Sequence, residues 1–247
     1  MSADLFIDLG NSRIKWMSEE QQNPDAAEYA DAELGAQLDR IWKKLPPPGQ
    51  VWLASVATPG VQAAVREWVR QNWRIVPQNI SVQPFACGVT CGYQDPAQLG
   101  VDRWMAILGA YRLNPGGVCV VDCGTATTLD AVDAGGVHLG GYILPGVEMM
   151  RKALLQGTAM IPETGVTGPM EWGVSTASCI DLGIRKSVVS LIEQSVERMQ
   201  ANGICDPGVV LTGGAASLIE PYLQLAYEHR EALVLEGMMR FVREQNR

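Results

Sequence analysis

Short apolar blocks punctuate this chain, and twice over they read as strands first and helices afterwards. Leu5-Phe6-Ile7 and the alternating Arg13-Ile14-Lys15-Trp16-Met17 flank a polar turn, so residues 5–17 are expected to form a hairpin. Residues 20–50 are polar and end in Pro46-Pro47-Pro48, which suggests a peripheral helix and loop. Val51–Val56 has the look of a buried strand. Pro59 opens a helix to about Trp73, with Val61, Val65, Trp68 and Val69 on one face. Short strands are expected at Ile75-Val76 and Ile80–Val82, a loop over 84–99, and a helix from Asp102 to Leu113 that Asn114-Pro115-Gly116-Gly117 ends.

The pattern then restarts. Residues 118–132 form a second hairpin, extended by a third strand at 137–143. Pro145-Gly146 opens a helix to about Leu155, 157–172 is a loop rich in Gly, Pro and Thr, and Ser175 begins the longest helix, closed near Asn202-Gly203. Val209–Leu211 reads as a strand ending in Thr212-Gly213-Gly214, followed by a helix, a strand at Leu233–Leu235 and a terminal helix to Glu244. A repeat of half the chain is a duplication rather than a solenoid. Strands with helical crossovers in each half imply α/β layers: two lobes, 1–115 and 116–247, each a mixed β-sheet flanked by helices.

The 247 residues are nearly half apolar, enough for a real core. A net charge of −8 argues against general nucleic-acid binding, which needs clustered Lys and Arg, but leaves room for a nucleotide held by a few local groups. No apolar run approaches a membrane span, and the N-terminus lacks the pattern of a signal peptide, so a cytoplasmic protein with reduced thiols is expected. Cys87-x-x-x-Cys91 would be half a zinc site without its other half, and two histidines supply little for a triad or catalytic zinc.

Each half carries the same acidic-glycine turn between strands: Asp8-Leu9-Gly10-Asn11-Ser12 and Asp122-Cys123-Gly124-Thr125-Ala126. Glycine there lets backbone approach a phosphate, successive N–H groups make an anion nest, and the carboxylate can hold a bridging cation. A single such turn can also be a plain Asx turn; the pairing at the head of each half favours the functional reading. Neither a P-loop nor a Rossmann glycine pattern is present. Thr212-Gly213-Gly214 can pass a phosphate or a flat ring close to backbone at a helix start, or be a simple β–α turn. Leu99-Gly100-Val101-Asp102-Arg103 opens a helix: Asp102 suits a first-turn acid, and a carboxylate beside a guanidinium also suits a pocket where one takes a proton and the other holds an anion. Tyr93 lies just upstream.

These motifs in this order, with Gly140-Gly141-Tyr142-Ile143-Leu144-Pro145-Gly146, resemble the type III pantothenate kinases over nearly the whole chain. The resemblance implies two duplicated ribonuclease H-like lobes of the actin-like ATPase fold and ATP-dependent phosphorylation of pantothenate. It implies that Asp8, Leu9, Gly10, Asn11, Ser12, Arg13, Ile14 and Lys15 form the first ATP-phosphate loop and that Thr125 contacts ATP. Asp102 would be the general base, and Tyr93, Gly100, Val101, Asp102, Arg103 and Thr176 the pantothenate site. Asp122 would hold a monovalent cation, K⁺ or NH₄⁺, alongside Mg²⁺ with the ATP. It further implies a homodimer whose pocket is completed by the partner. Ser12 stands where threonine is common, and Ala215-Ala216 follows Thr212-Gly213-Gly214 where an acidic residue is frequent. The rival readings are a nucleotide-binding regulatory protein without turnover and a kinase of another small alcohol.

Overall fold

The computed structural model describes residues 2–30, 33–157 and 171–246. They fall into two units: residues up to Gly109 with Ala232 onward, and Ala110–Glu231. In the first, β1 (Leu5–Leu9), β2 (Arg13–Ser18), β3 (Asp25–Glu28), β4 (Val51–Ser55) and β5 (Gln78–Asn79) form a sheet in the order β3-β2-β1-β4-β5. Helices α1 (Leu34–Trp42) and α2 (Pro59–Trp73) cover one face. A hairpin of β6 (Phe85–Ala86) and β7 (Val89–Thr90) precedes α3 (Val101–Leu113).

The second unit repeats this plan. β8 (Val118–Cys123), β9 (Ala126–Val132), β10 (His138–Pro145), β11 (Gly208–Thr212) and β12 (Glu228–His229) run in the order β10-β9-β8-β11-β12. Its helices are α4 (Val147–Gly157), α5 (Thr176–Ala201) and the short α6 (Ala216–Ile219). The duplication read from the motifs is thus a duplication of strand order and of parallel and antiparallel pairing.

Burial explains each element. α2 starts on Thr58 with Pro59 in its first turn and ends at Arg74, whose φ of 59° breaks the helix. Its Trp68 and Trp73 join Trp42 of α1, with ring centres 5.4 and 5.7 Å from that of Trp42. The polar stretch 20–50 therefore contains a core helix: Leu34, Leu38 and Trp42, spaced at i, i+4 and i+8, are buried. α5 opens on a capping box between Ser175 and Ser178. Its Ile184 and Val188 are buried in the core of its own unit, and Ile180 and Leu191 pack against that core. These apolar positions of α5 thus pack on the core of their own unit.

Three expectations differ from the structure. Between 75 and 82 only Gln78-Asn79 pairs as a strand; Pro77, lacking an N–H, sits before it and Ile80 is held singly through its N–H to Leu53 O at 2.9 Å. Leu233-Val234-Leu235 is the buried start of α7 (Leu233–Gln245), not a strand; three consecutive apolar residues do not distinguish a strand from a helix buried on several sides. The expected lobes 1–115 and 116–247 also shift. α7 belongs to the first unit, because Gly237 lies directly on the Met105 backbone and Gly109 on Leu233 O, so α3 and α7 meet with no side chain at the crossing. The expected loop 157–172 lies outside the described residues over 158–170. Among the described residues no helix is long and apolar enough to cross a membrane.

Candidate active site

The first turn grows from the central strand of its sheet. Asp8 on β1 lies in register with Lys15 on β2 and Ala54 on β4, and is buried. The turn closes by Gly10 N donating to Arg13 O at 3.0 Å. A Cβ on Gly10 would meet only that same oxygen, at 3.3 Å. Asn11, Ser12 and Arg13 are exposed, and Ile14 and Leu9 anchor the turn in the core. Tyr29 steadies it from β3's end: its hydroxyl donates to Gly10 O at 2.5 Å and its N–H to Ser12 O at 3.3 Å.

The second expected group also lies in the first unit, at the start of α3. Asp102 sits in the helix's first turn, where its Oδ1 accepts the Arg103 N–H at 2.8 Å. A Cβ on Gly100 would lie 2.6 Å from that oxygen, so glycine makes room for the carboxylate. Arg103 is buried, and its guanidinium donates to the Tyr93 hydroxyl at 3.0 Å while standing 5.8 Å from the ring centre. Val101 fills the core beneath. The structure thus gathers Tyr93, Gly100, Asp102 and Arg103 into one group: an acid able to take a proton beside a fixed cation and a phenol.

In the second unit Asp122 is in register with Thr128 on β9 and Thr212 on β11. Gly124 N donates to Ala126 O at 3.1 Å, and Gly146 N to Thr125 O at 3.0 Å. Gly213, at φ +91°, lies on this turn: a Cβ there would be 2.5 Å from Cys123 C, and it would also strike the Asp122 carboxylate. Thr212 is fully buried and its Oγ1 has no hydrogen-bond partner. A carboxylate beside an orphaned hydroxyl is an oxygen donor set of the kind hard cations take. The Cys123 thiol beside it is no nucleophile at neutral pH, because burial pushes it up to about 12, with Asp122 and Glu220 adding in the same direction. Among the described residues no group of three or more His, Cys, Asp or Glu side chains suited to a metal occurs.

The profile of the type III pantothenate kinases matches residues 4–198. The chain belongs to the type III pantothenate kinase family. Family members from Nitrosococcus oceani and Nitrosospira multiformis are 34% and 35% identical to it, covering 98% and 97% of the chain and 95% and 91% of their own lengths. One from Dichelobacter nodosus is 39% identical over 79% of the chain and 80% of its own. Among solved structures, a Baf family transcriptional activator from Campylobacter jejuni superposes with a TM-score of 0.64 at 20% identity, covering 98% of both chains. The activator of the 2-hydroxyisocaproyl-CoA dehydratase from Clostridium difficile, with bound ADPNP, does so at 0.54 and 13% identity, over 99% of this chain and 96% of that one. These two show the fold, the duplicated actin-like ATPase architecture expected from the resemblance.

Thr176, the remaining position expected from the resemblance, is exposed at the start of α5 and belongs to the second unit, whereas Tyr93 and Arg103 belong to the first. Exposed Trp172 and Val174 precede it. A cavity of about 770 Å³ against Leu129, Leu139, Tyr142 and Arg198 in the second unit is lined by none of the expected site residues. Tyr29, Thr212, Gly146 and Gly213 support the turns and were not expected as such. Gly146 stands out in the sequence as part of the Gly140–Gly146 motif, and the paired glycines of Thr212-Gly213-Gly214 as a ligand contact rather than as packing on Asp122.

Proposed function

We propose that the chain transfers the γ-phosphoryl group of ATP to the primary hydroxyl of pantothenate, the first step toward coenzyme A. The observation that supports it most is the match to the pantothenate kinase family over nearly the whole chain, joined to an acid, a guanidinium and a phenol gathered at the positions the family resemblance assigns to the acceptor. Asp102 takes the proton of the hydroxyl as its oxygen bonds to the γ-phosphorus and the bond to the β-phosphate oxygen breaks, releasing ADP. Arg103, fixed by Tyr93, holds the acceptor; Gly100 and Val101 shape the backbone beside it. Residues 8–15 hold phosphate oxygens through N–H groups and Lys15, and Thr125 adds a hydroxyl. Mg²⁺ bound to the ATP phosphates would offset their charge. Asp122 and Thr212 fit a monovalent cation, potassium or ammonium, that would offset charge beside the second turn.

The active unit is a cytoplasmic homodimer. Support comes from apolar side chains left exposed on the second unit: Leu139, Tyr142 and Ile143 of β10, Met149 and Leu154 of α4, and Trp172 and Val174 before Thr176. The test is purified protein with ATP, Mg²⁺, K⁺ and pantothenate: release of ADP must match the appearance of phosphopantothenate by mass spectrometry, and ADP release indifferent to pantothenate overturns the reading. For the shared pocket, co-expressed Asp102→Asn and Thr176→Arg subunits should recover as much as about a quarter of wild-type activity by random assortment. No recovery in confirmed mixed dimers means that each pocket is built from one chain.

A further inference from the structure

The β6–β7 hairpin turns on Cys87-Gly88, with φ of 52° and 79°. Two residues at positive φ between paired Ala86 and Val89 make a type I′ turn, where Asn, Asp or Gly is preferred at the first place. Cysteine there is strained and needs outside support. The support comes from the other end of the chain. Glu244 on α7 accepts the Cys87 N–H at 2.5 Å, and Arg240, one helical turn earlier, donates to Cys87 O at 2.8 Å. The same guanidinium donates to Leu108 O of α3 at 2.7 Å. All of these residues lie in the first unit. One planar group therefore ties the segment that leads to Tyr93 to the helix that carries Asp102 and Arg103. From Cys87 the chain runs through buried Cys91, whose N–H donates to Pro84 O at 2.9 Å, straight to Tyr93.

We infer that Arg240 and Glu244 are positioning residues for the acceptor half of the site: α7 sets the turn at Cys87 and thereby the place of Tyr93 against Arg103. This rests on the reading of Tyr93, Asp102 and Arg103 as the acceptor site. A guanidinium is needed because it presents several N–H groups in a rigid fork, and a lysine ammonium cannot hold the two carbonyls in the same geometry. The consequence is selective. Loosening the clamp displaces Tyr93 and Arg103 while leaving residues 8–15 alone, so the acceptor suffers and ATP does not.

The experiment compares Arg240→Met, Arg240→Lys and the exposed-site variant Glu244→Ala with the wild-type full-length protein. Expected is a loss on the order of 10–100-fold in kcat/KM for pantothenate, the range of a small misplacement of a bound group, with KM for ATP unchanged. Arg240→Lys should resemble Arg240→Met. Adding Cys87→Gly to Glu244→Ala should restore most of the loss, because glycine adopts the turn without a clamp. In parallel, hydrogen exchange of the ATP-free, pantothenate-free proteins should speed up over residues 85–93 in each single variant and slow again in the double one. Equal losses for pantothenate and ATP, full activity in Arg240→Lys, or unchanged exchange over 85–93 overturns the inference. Exchange reports on the clamp even if the wild-type protein proves inactive on pantothenate, so failure of the clamp and failure of the kinase reading are told apart.

Discussion

Asp8 and Asp122 hold the same place in their sheets, the penultimate residue of the central strand, and their surroundings have diverged. Across the sheet Asp8 faces Lys15 and Ala54, whereas Asp122 faces Thr128 and Thr212. The first turn spans Gly10 to Arg13 between paired Leu9 and Ile14; the second is shorter, Gly124 to Ala126 between Cys123 and Thr127. The first is braced by Tyr29, and a Cβ on its Gly10 would meet only Arg13 O, while the second is backed by Gly146 and Gly213 at distances no side chain would allow. The backbone plan survived duplication and the chemistry did not. On the function proposed above, the first turn, with Lys15 in register beside Asp8, brings its own positive charge to the phosphates, and the second, with Thr128 and Thr212 in register beside Asp122, takes one from a cation. The terminal helices diverged too: α3 opens with Val101-Asp102-Arg103, and its counterpart α7 with apolar Leu233-Val234-Leu235.

The largest effect should come from removing what only one repeat has. Asp102→Asn keeps the size and hydrogen bonding of the side chain and removes the proton acceptor. It should lower kcat by about 10²–10⁴-fold with an unchanged urea midpoint. A folded variant that keeps more than about a tenth of wild-type kcat means that Asp102 is not the base.

The next test exchanges charge between the turns. Asp122→Asn should weaken activation by potassium and lower kcat/KM by about 10–100-fold, the range of a lost charge-assisted contact. Lys15→Met should raise KM for ATP by about tenfold and leave the potassium response intact. Rates measured in potassium and in a bulky organic cation at matched ionic strength decide it. A potassium response lost in Lys15→Met and kept in Asp122→Asn would reverse the assignment of the two turns.

Packing gives a smaller contrast. Gly213→Ala forces a side chain into a backbone at φ +91° and onto Cys123, so it should destabilise by about 1–3 kcal/mol. Gly10→Ala meets only Arg13 O at 3.3 Å and should change stability by less than about 1 kcal/mol. Urea unfolding of both variants checks it, and equal losses would mean that the two turns are packed alike.

What the sequence disclosed follows from how far each signal reaches along the chain. The two turns and the order of strands around them were legible because a D-x-G between alternating apolar runs is a local pattern, and it occurs twice. The grouping of Tyr93 with Arg103 was within reach because both lie near one helix start. Leu233–Leu235 misled because an apolar triplet has no period. Arg240 and Glu244 were illegible. Their partner Cys87 is more than 150 residues away, and nothing in Arg-x-x-x-Glu announces a strained turn elsewhere. Placing α7 in the first unit depends on the glycine contact between Gly237 and Met105, which likewise exists only once the chain is folded.

The smallest contrast is in pH. Cys123 occupies in the second turn the place of Leu9 in the first, and both are buried. Burial pushes the Cys123 thiol from its ordinary value near 9 to about 12, with Asp122 and Glu220 adding. Cys119 on the same strand rises to about 12 by burial, with Asp130 adding. Above the ordinary value the unfolded chain releases these protons and the folded chain keeps them. Stability contributed by the two neutral thiols is therefore complete below about pH 9 and declines as pH rises toward 12, at no more than about 1.4 kcal/mol per pH unit for each. Lysines and tyrosines titrate in the same window, so the measurement is a difference: urea unfolding of wild type and of the Cys119→Ala/Cys123→Ala protein between about pH 8 and 10.5. Lost packing lowers the variant's stability at every pH and leaves its slope alone. The wild type should lose stability more steeply above pH 9. Parallel curves would mean that both thiols ionise as readily in the folded sheet as in the open chain, and that the core under the second turn admits water.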